Sequence, residues 1–340
     1  MSHWRTAVVL LSLILVPLTA GAAPAGKVVI AQGVDPTTLD MMNQQEQPAS
    51  NVGAQMFESL LERNQSLKLV PALAAEMPKL VAPTTWEFKL RRGVKFHNGE
   101  DFNADSVKYS IERLANPANK LRGSSSFAPI DRVEIVDPYT VRIHTKKPWP
   151  VFLSHIALRQ AAMYPPKEYA GKDAAAISRS PIGTGPFKFV RWVKDDRIEL
   201  TANEQYWRGA PRVKSLVFRP IPDDAVRVAA LQNGEIDVAV NIPPHMATII
   251  ANHPKLFLSQ APSVRTIQLM YYTHQFDAQH KLVGPYAGPV ADKRVRHALG
   301  LAVQHGPDDL VGVDGVGDGL ADALVGGGAL VGADELVLVV

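Results

Sequence analysis

Cysteine is absent from all 340 residues. That excludes a disulfide-stapled scaffold, thiol catalysis and Cys-ligated zinc. The ten histidines contain no HExxH pair, and His274 and His280 stand six apart. Zinc needs three or four convergent ligands, so scattered, internally satisfied histidines are expected and no metal or other cofactor is assigned. Long apolar runs are scarce too. One at Ala7–Leu18 is shorter than the ~20 residues of a spanning helix. With Arg5 before it and Ala20-Gly21-Ala22 after it, residues 1–22 read as a secretory signal peptide. An exported chain without thiols fits a bacterial periplasm, and no cysteine follows the leader to carry a lipid.

A second absence begins at Gly306. From there to Val340 only Gly, Ala, Val, Asp, Glu, Leu and one Pro occur. A calcium solenoid needs at least three stacked repeats, whereas "DGVGDGLAD" is one imperfect copy. A phosphate loop fails because no GxGxxG register fits and no Lys follows. The missing residue types are those that a slipped reading frame removes from a GC-rich gene. Residues 306–340 are therefore expected to be an aberrant low-complexity tail with a frame break near Val303. The terminal Val-Leu-Val-Val is expected to form an adventitious β segment. Seven of the 33 acids, and none of the 36 Lys and Arg, fall in this tail. The remainder thus carries about +10 rather than +3. Its basic residues are scattered singly without aromatic interleaving, so a solvated surface is expected and no nucleic acid.

Between these ends lie roughly 280 residues, enough for two lobes with their own cores. Val28–Ala31 reads as a short strand closed by Gly33 and Asp35-Pro36. In "SNVGAQMFESLLER", Val52, Met56 and Leu60 recur every four residues beside Phe57 and Leu61. This predicts one helix with a wide apolar face, capped by Ser50 or Asn51. Trp86, Phe88 and Leu90 alternate with polar residues, and Val94 and Phe96 continue the pattern up to an Asn98-Gly99 turn. Asn103 should cap a helix burying Val107, Ile111 and Leu114. "RVEIVDPYTVRIHT" predicts a hairpin turning at Asp137-Pro138. Around residues 165–187 a Pro/Gly-rich stretch is the best crossing between lobes. Beyond it, strands flank a Lys194–Arg197 turn, another spans "KSLVFRPI", and a helix runs from Asp223 or Asp224 to Asn233. A strand at Ile236–Val240 follows. Strands and helices interleave, so the fold class is α/β with mixed α+β sheets.

Catalysis has little support. Ser124-Ser125-Ser126 lacks a nucleophile-elbow pattern. Asp195-Asp196 sits in a predicted turn and Asp223-Asp224 at a helix cap, which accounts for both pairs without acid–base work.

Three stretches carry a resemblance: "WEFKLRRGVKFHNGEDFNADSVKYSIERL", the segment from Thr184 to Val240, and "DKRVRHALGLAV". With "TLD" at 38–40 and "FESLLER" at 57–63, the match runs from about Lys27 to Val303. It resembles the family 5 periplasmic solute-binding proteins of ABC importers, which include dipeptide- and oligopeptide-binding proteins. The aromatic residues of these motifs, Trp86, Phe88, Phe96, Phe187, Phe189 and Trp207, read as core or turn packing.

The resemblance implies a two-lobed type II clamshell closing on a solute without a covalent step. Residues 23–55 and 170–260 would form a discontinuous first lobe and 56–169 an inserted accessory domain. The opposing lobe would begin at 261–305 and remain incomplete, since the family's usual chain is much longer. "QQEQP", with Gln45, Glu46 and Gln47, is placed in the ligand-facing loop of the first lobe. "SSSFAP", with Ser125 and Phe127, resembles a second ligand-side segment, and "TIQLMYYTHQ" the strand entering the opposing lobe, where Tyr272 is the cleft-lining residue. The implied function is monomeric delivery of a di- or oligopeptide, a metal chelate or an oligosaccharide to the permease subunits of the inner membrane. Such a chain is expected to bind poorly and to expose an apolar lobe interface. A secreted hydrolase is the alternative, and would need a catalytic constellation in the cleft.

Overall fold

The structure is a computed structural model that describes residues 23–261, 274–276, 282–285, 288–296 and 335–338. Two compact units result: the first comprises the described residues of Met1–Glu62 and Leu69–Val238, the second those of Arg63–Lys68 and Ala239–Val340.

The first unit contains β1 (Ala25–Gln32), α1 (Gln47–Met56), the paired β2 (Leu61–Arg63) and β3 (Leu69–Pro71), then β4 (Lys79–Ala82) and β5 (Thr85–Lys89). Helices α2 (Ala104–Ala115) and α3 (Ser124–Phe127) precede β6 (Ile130–Asp137) and β7 (Thr140–Thr145). Short helices α4 (Phe152–Ile156), α5 (Pro166–Tyr169) and α6 (Ala174–Arg179) lead to β8 (Phe187–Val193), β9 (Arg197–Ala202), β10 (Val213–Pro220) and α7 (Asp224–Gln232). The chain leaves this unit through β11 (Val238–Ala239).

Two sheets organise it. One runs β11-β1-β10-β9-β8, with β1 parallel to β10 and the β10-β9-β8 ladder antiparallel. The other is antiparallel throughout, in the order β4-β5-β7-β6. A single apolar core spans the unit from Leu39 to Phe218 and includes Phe88, Phe96 and Phe187, while Trp86, Phe189 and Trp207 pack half-buried against it. Helix α2 starts as the sequence predicts. Asn103 accepts from the backbone N–H groups of Asp105 and Ser106, and Ser106 Oγ completes the capping box. Lys108 and Glu112 tie that helix to β6 through the carbonyl and N–H of Val133.

Two predicted elements differ. Helix α1 begins at Gln47 behind Glu46, with Pro48 in its first turn, and stops at Met56. Leu60 and Leu61 are fully buried as their spacing requires, but they lie beyond the helix. The physical reason is the stretch around Gly183 and Gly185. The Gly185 N–H donates to Met56 O at 2.9 Å, and the tight approach of both glycines to Met56 leaves no room for a continuing helix. The strand expected at Ile236–Val240 shrinks to Val238–Ala239. Asp237 gives its N–H to Val29 O and takes the Val29 N–H on Oδ2 at 2.7 Å, so a side chain replaces a ladder bond there.

In the second unit, α8 (Pro244–Ala251) is an apolar helix that buries little beyond Ile250 and leaves Ile249 51% exposed. Phe257 is 63% exposed. Strand β12 (Leu258–Ala261) pairs with a terminal strand, and β13 (His274–Phe276) with β14 (Leu282–Pro285). The terminal strand, β15 (Glu335–Leu338), is the expected β segment placed two residues early. No helix among the described residues is long and apolar enough to cross a membrane.

Candidate functional site

The loop between β1 and α1 is built from the inside. Asp40 caps a 3-10 turn at Met41–Asn43 by accepting the Met42 N–H. Its fully buried carboxylate pairs with Arg113 of α2, whose Nη2 lies 2.6 Å from Oδ2. Tyr164 OH donates to Asp40 Oδ1 at 2.9 Å and accepts the Met41 N–H at 2.8 Å. Burial opposes the charge on Arg113, but the adjacent carboxylate outweighs it and holds the guanidinium above its ordinary range. Burial drives the Tyr164 phenol well upward, and the Asp40 charge adds to this, so it stays a neutral donor.

On this base stands the "QQEQP" loop. Glu46 Oε1 accepts from Thr37 N and Thr37 Oγ1, and the Glu46 N–H donates to Gln44 Oε1. Gln45 is exposed and reaches across to donate from Nε2 to Arg122 O at 2.8 Å. Gln47 Nε2 donates to Asn51 Oδ1 one turn along α1. Two further bonds fasten the 122–125 segment to this loop: the Arg122 N–H to Asn43 Oδ1 at 3.2 Å and the Gly123 N–H to Met42 O at 3.1 Å. A Cβ on Gly123 would lie 2.9 Å from Met42 O, so only glycine permits the contact.

Of the sequence-predicted site residues, the structure therefore joins Gln45 to the segment that carries Ser125 and Phe127, while Glu46 bonds to Thr37 and Gln44 and Gln47 to Asn51. Ser125 is exposed. Phe127 is fully buried, with its ring edge-on to His155 at 5.9 Å, so it supports the segment from within. Tyr272 lies outside the described residues. Asp40, Arg113 and Tyr164 were not singled out by sequence reasoning. The available signal was an arginine beside the apolar face of α2, which needs a carboxylate if it is buried.

A second buried carboxylate fixes the opposite end of α1. Glu58 accepts from Thr184 Oγ1, Tyr206 OH and Trp207 Nε1 at 2.7 to 2.9 Å. Burial pushes its carboxyl upward, against those three donors and Arg208. Nearby, His97 Nδ1 accepts the Gly183 N–H while Nε2 meets Gly185 O at 3.0 Å, an arrangement only the neutral ring satisfies. Burial lowers its pKa to about 4.

Chemically, the loop and the 122–125 segment present amides, a hydroxyl, carbonyls and a guanidinium, with no nucleophile–base pair. No cluster of three His, Asp or Glu among the described residues suits a metal. A pocket of about 110 Å³ beside Glu100, Asn103 and Lys167 is too small to enclose a peptide.

Comparison with known proteins matches this architecture. Residues 68–305 match the bacterial extracellular solute-binding proteins, family 5. The glutathione-binding protein GsiB of Pectobacterium atrosepticum is 33% identical over 278 residues, which are 81% of this chain and 51% of that protein. Its Escherichia coli namesake is 30% identical over 302 residues, 88% of this chain and 56% of its own. Among solved structures, NikZ from Campylobacter jejuni in complex with Ni(L-His) superposes with a TM-score of 0.69 at 27% identity, covering 82% of this chain and 53% of that one. The periplasmic binding protein DppA from Helicobacter pylori, in complex with the peptide STSA, gives 0.63 at 25%, covering 69% and 50%. The chain spans about half the length of the curated relatives it matches. It belongs to the family 5 bacterial extracellular solute-binding proteins.

Proposed function

We propose that this chain is the solute-capturing component of an ABC importer, exported to the periplasm, binding a small peptide and passing it to membrane permease subunits without catalysis. One observation carries the reading. In a member of this family, the "QQEQP" loop and the 122–125 segment are hydrogen-bonded into one polar surface supported by a buried ion pair. Glutathione-binding and peptide-binding relatives support a short peptide as the solute class. Gln45, Glu46, Gln47 and Ser125 would meet the ligand from the first lobe and Tyr272 from the facing one, with Phe127 as a supporting core residue. Main-chain hydrogen bonds to an extended peptide would give affinity largely independent of its side chains.

In the proposal, residues 306–340 are not part of the family's sequence. The family match ends at residue 305, where the composition changes. A frame slip near Val303 would account for both. The test is to read the coding DNA past codon 303 in all frames and produce the restored protein. Calorimetry should then show glutathione or another tripeptide binding at about micromolar Kd or tighter, weakened roughly tenfold by Gln45→Ala with Gln47→Ala. Unchanged affinity in that double variant would overturn the site assignment.

A further inference from the structure

The loop described above has one acid, Glu46, and its Oε1 already accepts twice from Thr37. Asp40 beneath it is neutralised by Arg113. The segment facing the loop brings cations instead. Arg122 is exposed, with its backbone N–H and C=O both committed to the loop through Asn43 and Gln45. Among the described residues no carboxylate pairs with the Arg122 guanidinium, nor with the ammonium of exposed Lys120 two residues earlier. Lys120 is itself held at φ +50°, in the left-handed region, by the turn that delivers Leu121 to the core. Several arginines of this unit behave differently. Arg113, Arg132, Arg142, Arg191, Arg197 and Arg208 all have acidic partners.

A guanidinium with no carboxylate partner among the described residues, fastened by its own backbone to the proposed ligand loop, favours one kind of ligand group. Its planar fork matches a carboxylate with two parallel N–H···O bonds. We propose that Arg122 is a specificity-determining residue that engages a carboxylate of the solute, with Lys120 adding long-range attraction, so that carboxylate-bearing solutes are preferred over neutral ones. This rests on the reading of the loop as the solute site. The carboxylate belongs either to a peptide C-terminus or to an acidic side chain, and both have the same chemistry.

The test uses the 340-residue chain and weak-binding NMR, which reads millimolar contacts. Three probes are titrated into labelled protein: N-acetyl-diglycine, N-acetyl-glutamate amide, and neutral N-acetyl-diglycinamide. The Arg122 Nε–H and the Gln45 and Gln47 side-chain amides are followed. At least one acid should shift all three signals with roughly tenfold tighter Kd than the neutral amide. Arg122→Gln should remove that preference without changing the thermal midpoint, and Arg122→Lys should restore part of it. The acid that binds distinguishes a C-terminal from a side-chain carboxylate. Equal binding of acids and amide, unaffected by Arg122→Gln, would overturn the proposal while leaving the loop as the solute site. If no probe moves the glutamine amides, both fail together.

Discussion

Arg113 keeps only 8% of its side chain in solvent, so its charge depends on Asp40. Asp40→Asn leaves that cation buried without a counter-charge and should cost about 3–5 kcal/mol in chemical denaturation. Tyr164→Phe removes one hydroxyl that serves both Asp40 and the Met41 N–H, and should cost about 1–3 kcal/mol. Equal, small losses in both variants would contradict the account of this network. His97 gives a pH signature instead. Its folded pKa of about 4 lies below the ordinary 6.5, so the unfolded chain binds the proton more readily. The contribution is complete above pH 6.5 and is lost as pH falls through 4, on the order of 3 kcal/mol in total. Thermal midpoints from pH 7.5 to 4.5 should therefore fall more steeply for the native chain than for His97→Gln. Parallel curves would contradict the neutral clamp. None of these partners was legible in the sequence, because each pairing joins segments distant along the chain, 73 residues apart for Asp40 and Arg113.

At the scale of elements, local signals read well where one segment supplies its own boundary. The Asn103 cap, the Asp137-Pro138 hairpin turn and the Asp223 cap all appear as predicted, since each depends on neighbours within three or four residues. Helix α1 ends earlier than its periodicity predicts because its end is set from outside. Periodicity correctly marked Leu60 and Leu61 as buried, but could not foresee the stretch around Gly183 and Gly185 packed against Met56. That close approach is testable. A Cβ at Gly185 would lie 2.7 Å from Met56 C and 2.8 Å from Gln55 O, backbone atoms that cannot turn aside. Gly185→Ala should lower stability by about 2–3 kcal/mol, whereas Gly99→Ala, which meets nothing within 4 Å, should cost only its φ strain of about 1 kcal/mol. Similar costs at both sites would show that packing against α1 is not what requires glycine.

Over the whole molecule, the sequence revealed the fold class, the family and the change at residue 306, while site membership was only partly legible. Four of its polar candidates lie on or beside the surface formed by the loop and the 122–125 segment. Phe127 turned out to be core, because an aromatic on a four-residue helix offers no periodicity from which to judge its facing. In the proposed reading solute is gripped from two sides, so the loop surface of the first unit by itself should make only weak contacts. Isothermal titration calorimetry of the purified 340-residue chain with glutathione and a tripeptide mixture tests this most directly. The account predicts no saturable heat at ligand concentrations up to roughly 0.1 mM, whereas a one-to-one isotherm with Kd near or below 1 μM would contradict it.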